Sequence, residues 1–109
     1  LFLKVGQPDS AEVHLETALN LNPKDPVNFT DLGGLYFAQQ KYDRSVSLCK
    51  KALALEPDNT AILNNIAIVY NQGHEYDAAL IYCRKALAIE PQNQLSLDNL
   101  KTAEQGSDK

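Results

Sequence analysis

The sequence matches itself at an offset of 34 residues, and that period restricts the chain to architectures built from one short unit used repeatedly. Residues 41–59 read KYDRSVSLCKKALALEPDN and residues 75–93 read EYDAALIYCRKALAIEPQN, with ten identities in nineteen positions. One period back, Gly6, Ala11, Leu15, Ala18 and Pro23 fall in register with Gln40, Ser45, Cys49, Ala52 and Pro57. One period on, Leu97 and Leu100 fall in register with Leu63 and Ile66. The expected organisation is a single array over 1–109: a truncated unit over 1–25, full units over 26–59 and 60–93, and a terminal helix with its tail over 94–109. Because the sequence contains no Met, it is expected to be a piece, or a processed product, of something longer.

Inside each unit apolar residues recur at intervals of three and four: Val46, Cys49, Ala52 and Leu53, then Leu80, Cys83, Ala86 and Leu87. That spacing puts them on one stripe of an α-helix. Pro23, Pro57 and Pro91 cannot continue a helix, and two residues beyond each stands Asp25, Asn59 or Asn93, whose side chain can accept from the free N–H groups of a new first turn. Short turns at 39–42 and 73–76 leave room only for antiparallel neighbours. The spacing predicts helices near 9–21, 26–39, 42–55, 60–72, 76–89 and 94–105. The fold class is all-α, with antiparallel helical hairpins stacked on one another, because a lone hairpin leaves its outer stripe uncovered.

The second unit offers Phe29, Leu32, Gly33, Tyr36, Ser45, Cys49, Ala52 and Pro57, and the third offers Leu63, Ile66, Ala67, Tyr70, Ala79, Cys83, Ala86 and Pro91. In size and spacing this pattern resembles the tetratricopeptide repeat, a helix-turn-helix unit of the same length. The resemblance implies a short solenoid in which small residues at Gly33, Ala67, Ala52 and Ala86 let helices approach closely. The final helix departs from the pattern: Lys101 stands where Gly33 and Ala67 stand in the units before it, which suits a polar capping helix.

Several function classes are disfavoured. A net charge of -4 gives no general attraction to phosphate backbones, so nucleic acid is not an expected partner, and no apolar run approaches the roughly 18 residues of a membrane span. Cys49 and Cys83 occupy equivalent positions of successive units, about 8–10 Å or more apart in a helix stack, whereas a disulfide needs Cα atoms within about 7 Å. They read as core residues, and buried thiols point to a reducing compartment, hence a cytoplasmic location. His14 and His74 lie in no ligand-spaced motif, and Gly33-Gly34 falls inside a helix rather than a phosphate loop, so neither metal nor cofactor is expected. Asp43 and Asp77 open helices, where a carboxylate suits the positive helix end, and Glu12 and Glu16 form a like-charged pair on a polar face. No catalytic residues are expected. The basic pairs Lys50-Lys51 and Arg84-Lys85 are each followed by Glu56 or Glu90 and read as a solvated outer face.

The first helices carry a polar ladder with the period of the repeat: Asp31, Asn65 and Asn99. Around it stand Phe37, Asn64, Ile68, Asn71 and Gln72. An Asn amide both donates and accepts, so rungs of this kind can bond an extended peptide backbone whatever its side chains, while Phe37 and Ile68 offer apolar contact. The bland alternative is that Asn is simply common on helix surfaces near caps. The resemblance implies that this face is the concave, peptide-binding one. It also implies where a clamp for a terminal carboxylate would need Lys, Arg and Asn; those places hold Thr30, Gly34, Asn65, Leu95 and Asn99, so only Asn65 fits and no clamp is expected. With Asp31 and Asp98 on the face, the expected ligand is a protein or extended peptide segment, neutral to basic. Two other roles remain open: self-association through exposed repeat ends such as the Ala11, Leu15 and Ala18 stripe, and presentation of substrates to a catalytic domain elsewhere in a larger enzyme.

Overall fold

The computed structural model describes residues 13–107. Every regular element among them is helical: α1 over 13–21, α2 Pro26–Ala38, α3 Tyr42–Leu55, α4 Thr60–Gln72, α5 Tyr76–Ile89 and α6 Gln94–Ser107. The boundaries agree with the sequence expectation to within one or two residues. The expected start of the first helix near residue 9, together with Gly6, Ala11 and Glu12, lies outside the described residues. No described helix is long and apolar enough to cross a membrane.

The caps act as the sequence indicated. Asp25 Oδ1 accepts from the Val27 amide at 3.0 Å, Asn59 Oδ1 from Ile62 at 3.2 Å and Asn93 Oδ1 from Ser96 at 3.0 Å. Each capping Asn is itself oriented by a carboxylate three residues earlier: Asn59 Nδ2 donates to Glu56 and Asn93 Nδ2 to Glu90, both at 2.8 Å. The two intra-hairpin turns are also alike. The amides of Gln40 and Lys41 bond back to Phe37 and Tyr36, and those of His74 and Glu75 to Asn71 and Tyr70. This double closure requires a left-handed residue just beyond the helix. Gln40 and His74 take that role, each at φ 62°, whereas Gly73, the residue best suited to it, sits one place earlier at φ -85°.

The chain divides into two compact units, Leu1–Leu55 and Glu56–Lys109. In the first, α2 packs along α3 around Leu32, Tyr36, Val46, Cys49 and Ala52. The approach is close because Gly33 has no side chain: a Cβ there would lie 3.0 Å from Cys49 Sγ and 3.3 Å from the Ser45 carbonyl oxygen. In the second, α4 packs on α5, and α6 touches both. Leu63, Ile66, Ala67, Ala79, Cys83 and Ala86 are all fully enclosed there. Gly106 admits the Tyr76 ring against the last turn of α6. Lys101 and Glu104, in register with the buried Ala67 and the half-buried Tyr70, are exposed.

Both cysteines are reduced and buried. Burial pushes the Cys49 thiol above its ordinary range and Cys83 up to about 11, against the opposing pull of the Arg84 charge. Neither is a poised nucleophile.

Candidate functional site

The residues expected to form a binding face separate into three groups. The first is spent on holding helices together. Asn64 is only 2% exposed: Ser96 Oγ donates to its Oδ1 at 2.7 Å, and its Nδ2 donates to Asn93 Oδ1 at 3.4 Å. Asn93 thereby caps α6 and receives α4 with one oxygen. The expectation that Asn64 offers its amide to a ligand is corrected here, because Ser96, fully buried on α6, occupies it. Nothing in the local sequence of α4 distinguishes Asn64 from Asn65; the distinguishing residue stands 32 positions away.

The second group is available at the surface. Asn65 and Gln72 on α4 are exposed, and Ile68 between them is half-buried. On α6, Leu95 is 47% exposed and Asp98 lies open beside it, accepting from Gln94 Nε2 at 2.9 Å. In the first unit Asp31 is exposed, while Phe37 is half-buried with its ring 5.8 Å from that of Tyr42. Spacings of three and four put Ile68 with Asn65, Asn71 and Gln72 on one side of α4.

The third group lies between these. Asn71 and Asn99 are each 9% exposed, and Asn71 Nδ2 donates to the Asn99 main-chain oxygen at 3.2 Å. Of their side-chain atoms, Asn71 Oδ1 and Asn99 Nδ2 are buried and have no hydrogen-bond partner. One acceptor and one donor therefore stand unsatisfied at the same helix contact.

Elsewhere, a depression of about 490 Å³ at the α5 entrance gathers His74, Asp77 and Ser107. The bonds formed there are Ser107 Oγ to Asp77 at 3.1 Å and His74 Nδ1 with the Tyr76 hydroxyl at 2.7 Å. The imidazole is thus engaged with a phenol and the serine hydroxyl with a carboxylate, which is not the base-to-nucleophile pairing that activates a hydroxyl. Among the described residues no group of three His, Cys, Asp or Glu side chains is placed to hold a metal ion.

The family model for the tetratricopeptide repeat matches residues 36–103. The chain belongs to the tetratricopeptide-repeat family. Solved structures agree on the fold. The first tetratricopeptide domain of Spaghetti (RPAP3), solved bound to the HSP90 peptide SRMEEVD, superposes with a TM-score of 0.85 over 99% of this chain and 86% of its own, at 22% identity. The second such domain of human RPAP3, in complex with the HSP70 peptide SGPTIEEVD, gives 0.81 over 94% of this chain and 86% of its own, at 16% identity. The tetratricopeptide domain of Arabidopsis OM64 gives 0.81 over 94% and 85%, at 19% identity. No curated protein matches the sequence significantly. The all-α helical-repeat architecture expected from the 34-residue period is therefore the fold of this chain.

Proposed function

We propose that this tetratricopeptide chain is a recognition module, without chemistry of its own, that binds an extended, neutral-to-basic segment of another protein. The contact face runs over Asn65, Ile68, Gln72 and Asn99 of the second unit; Asp31 and Phe37 hold the equivalent places of the repeat in the sequence of the first. The observation that carries this reading is the pairing of exposed amides with the half-buried Ile68 and exposed Leu95, which suits a backbone with small apolar side chains.

Two structural neighbours were solved with acidic peptides ending in EEVD. This chain is read differently because its corresponding places are Thr30, Gly34, Asn65, Leu95 and Asn99, with no cation among them. The Thr30 hydroxyl is already committed to the Val27 carbonyl at 3.0 Å. Exposed Asp31 and Asp98 add negative charge, which repels a carboxyl terminus and favours Lys or Arg in the ligand.

The test is affinity capture with the wild-type chain and an Asn65→Ala/Ile68→Ala/Gln72→Ala variant, followed by calorimetry with whichever segment is retained. Loss of binding in a variant with unchanged helicity supports the reading; equal retention by both refutes it. Self-association is a second reading, motivated by Leu21 at 75% and Val27 at 57% exposure in the first unit. Sedimentation showing a monomer at high concentration removes it.

A further inference from the structure

We propose that the first unit carries a small-molecule site of its own, for a free α-amino acid with a branched apolar side chain. A crevice of about 460 Å³ opens between α1, α2 and α3, a volume in the range of small-ligand pockets. Leu32 and Tyr36, both buried, line it from α2; Leu19 lines it from α1 and Leu48 from α3, both half-buried. Helical spacing puts Leu32 and Tyr36 on the opposite side of α2 from Gly34 and Phe37, so this crevice is not part of the peptide face proposed above.

Each outer wall also carries a charge. Glu16 stands one turn before Leu19 and Asn20 on α1, and Arg44 one turn before Ser47 and Leu48 on α3. The four polar side chains are exposed along the same crevice. Among the described residues no ion pair links Glu16 to Arg44. The Arg44 guanidinium instead lies 5.6 Å from the centroid of the Tyr36 ring, and Lys41 Nζ lies 5.7 Å from the same centroid. A guanidinium held on an aromatic ring keeps its N–H groups for a carboxylate, and Lys41 adds positive charge at that wall.

The repeat does not call for these polar residues. One period on, the apolar places hold Leu53, Ile66, Tyr70 and Tyr82, so their character is kept. Glu16, Asn20, Arg44 and Ser47 give way to Lys50, Ala54, Ala78 and Ile81. Packing of the hairpins accounts for the first set, and the second is particular to this crevice.

An anion, a cation and an apolar lining in one crevice complement a zwitterion. The ammonium group donates to Glu16 and to the Asn20 side-chain oxygen, and the carboxylate accepts from Arg44 and Ser47. The ligand side chain lies between Leu19 and Leu48 against Leu32. An alkyl carboxylate supplies nothing to Glu16, an alkyl amine nothing to Arg44, and a residue inside a peptide has neither charge on its main chain.

The probe is leucine, titrated into isotope-labelled protein while the Leu19 and Leu48 methyl signals and the Arg44 Nε–H signal are followed. Each control lacks a recognised group: glycine the side chain, 4-methylpentanoate the ammonium, 3-methylbutylamine the carboxylate, and N-acetyl-leucinamide both charges. Leucine is expected to bind about fivefold more tightly than any of them, and Arg44→Gln and Glu16→Gln are each expected to weaken it about fivefold, as suits charges open to solvent. Both positions are exposed, so circular dichroism should show unchanged helicity. Asn65→Ala, on the peptide face, is expected to leave leucine binding unchanged, which keeps the fate of that reading separate from this one.

Equal affinity for leucine and 4-methylpentanoate overturns the proposal, as does leucine binding that survives both charge variants. N-acetyl-leucinamide binding as tightly as leucine would make the occupant a peptide segment and also overturns it. If Glu16 and Arg44 serve only to steady α1 against α3, both variants lower the melting temperature and millimolar leucine shifts none of the three signals; the amino-acid site then falls.

Discussion

Gly33 and Gly34 are adjacent in the middle of α2, and replacing each in turn by Ala separates helix propensity from tertiary contact. Either substitution gains about 0.8–1.0 kcal/mol of propensity in a helix interior. At Gly34 an added Cβ meets nothing within 4 Å, so the gain stands. Gly34→Ala is expected to stabilise the chain by roughly 0.5–1 kcal/mol. At Gly33 the Cβ would lie 3.0 Å from Cys49 Sγ and 3.3 Å from the Ser45 carbonyl oxygen. Carbon contacts are comfortable at about 3.5–4.0 Å, so both neighbours must retreat by several tenths of an ångström. The sulfur can turn away, but the Ser45 carbonyl moves only with the α3 backbone. Overpacking of this type costs about 1–3 kcal/mol, enough to cancel or exceed the propensity gain. Because the propensity term is common to both variants, the difference between them, about 1–3 kcal/mol, measures the α2–α3 contact alone. Urea unfolding followed by far-ultraviolet circular dichroism, with m-values checked for constancy, gives that difference directly. Ala67 holds the same register in α4, fully buried against α5, so a methyl is tolerated where the helices are spaced for it. Equal stabilisation by Gly33→Ala and Gly34→Ala would therefore show that α2 and α3 can adopt that wider spacing freely, and would refute the argument.

Four further outcomes are expected. Ser96→Ala leaves Asn64 Oδ1 buried without its donor and should cost about 1–3 kcal/mol in urea unfolding, whereas adding Asn64→Leu should recover much of the loss. Gly106→Ala places a methyl in the Tyr76 ring; amide exchange should accelerate in the last turn of α6 while Ser96 to Ala103 stays protected, and Tyr76→Ala should reverse it. Gln40→Gly relieves a left-handed non-glycine residue and should stabilise the chain by about 0.5–1 kcal/mol after the added freedom of the unfolded chain is counted. The Cys83 thiol is raised from 9.0 to about 11, so the unfolded chain ionises first: its contribution is intact below pH 9 and is lost as pH rises towards 11. Chemical unfolding across that window should show a shallower alkaline decline in Cys83→Ala than in the parent.

Helix positions were legible in the sequence because their signals are local. The three caps and the proline stops lie within a few residues of what they control, and the small residues of the repeat identify the helix contacts by size alone. The site was legible only in outline. Asn64, Asn65, Asn71 and Asn99 look alike as letters, yet one is locked by Ser96, one is exposed, and two are buried, each with a side-chain polar atom that has no partner. Those fates are decided by residues about thirty positions distant, in the next copy of the unit, where no local rule reaches. The turns carry the same lesson on a smaller scale. Gly73 invites the left-handed position, but the hydrogen bonds that close the helix count from Tyr70 and assign it to His74.

Cys49 and Cys83, one thiol per compact unit and both at the same place in the repeat, make the chain its own stopwatch. Each sulfur is sealed under its hairpin, so an alkylating reagent can mark it only during the moments when that hairpin opens. Once each rate is divided by that of the same thiol in the unfolded chain, the ratio of marking rates compares how often each unit opens, without any engineered label. Repeat arrays unfold in stages when their neighbouring units are weakly coupled. Halves that open as one would be marked at equal rates, and two marks arriving far apart would expose a partly open chain that equilibrium melting averages away.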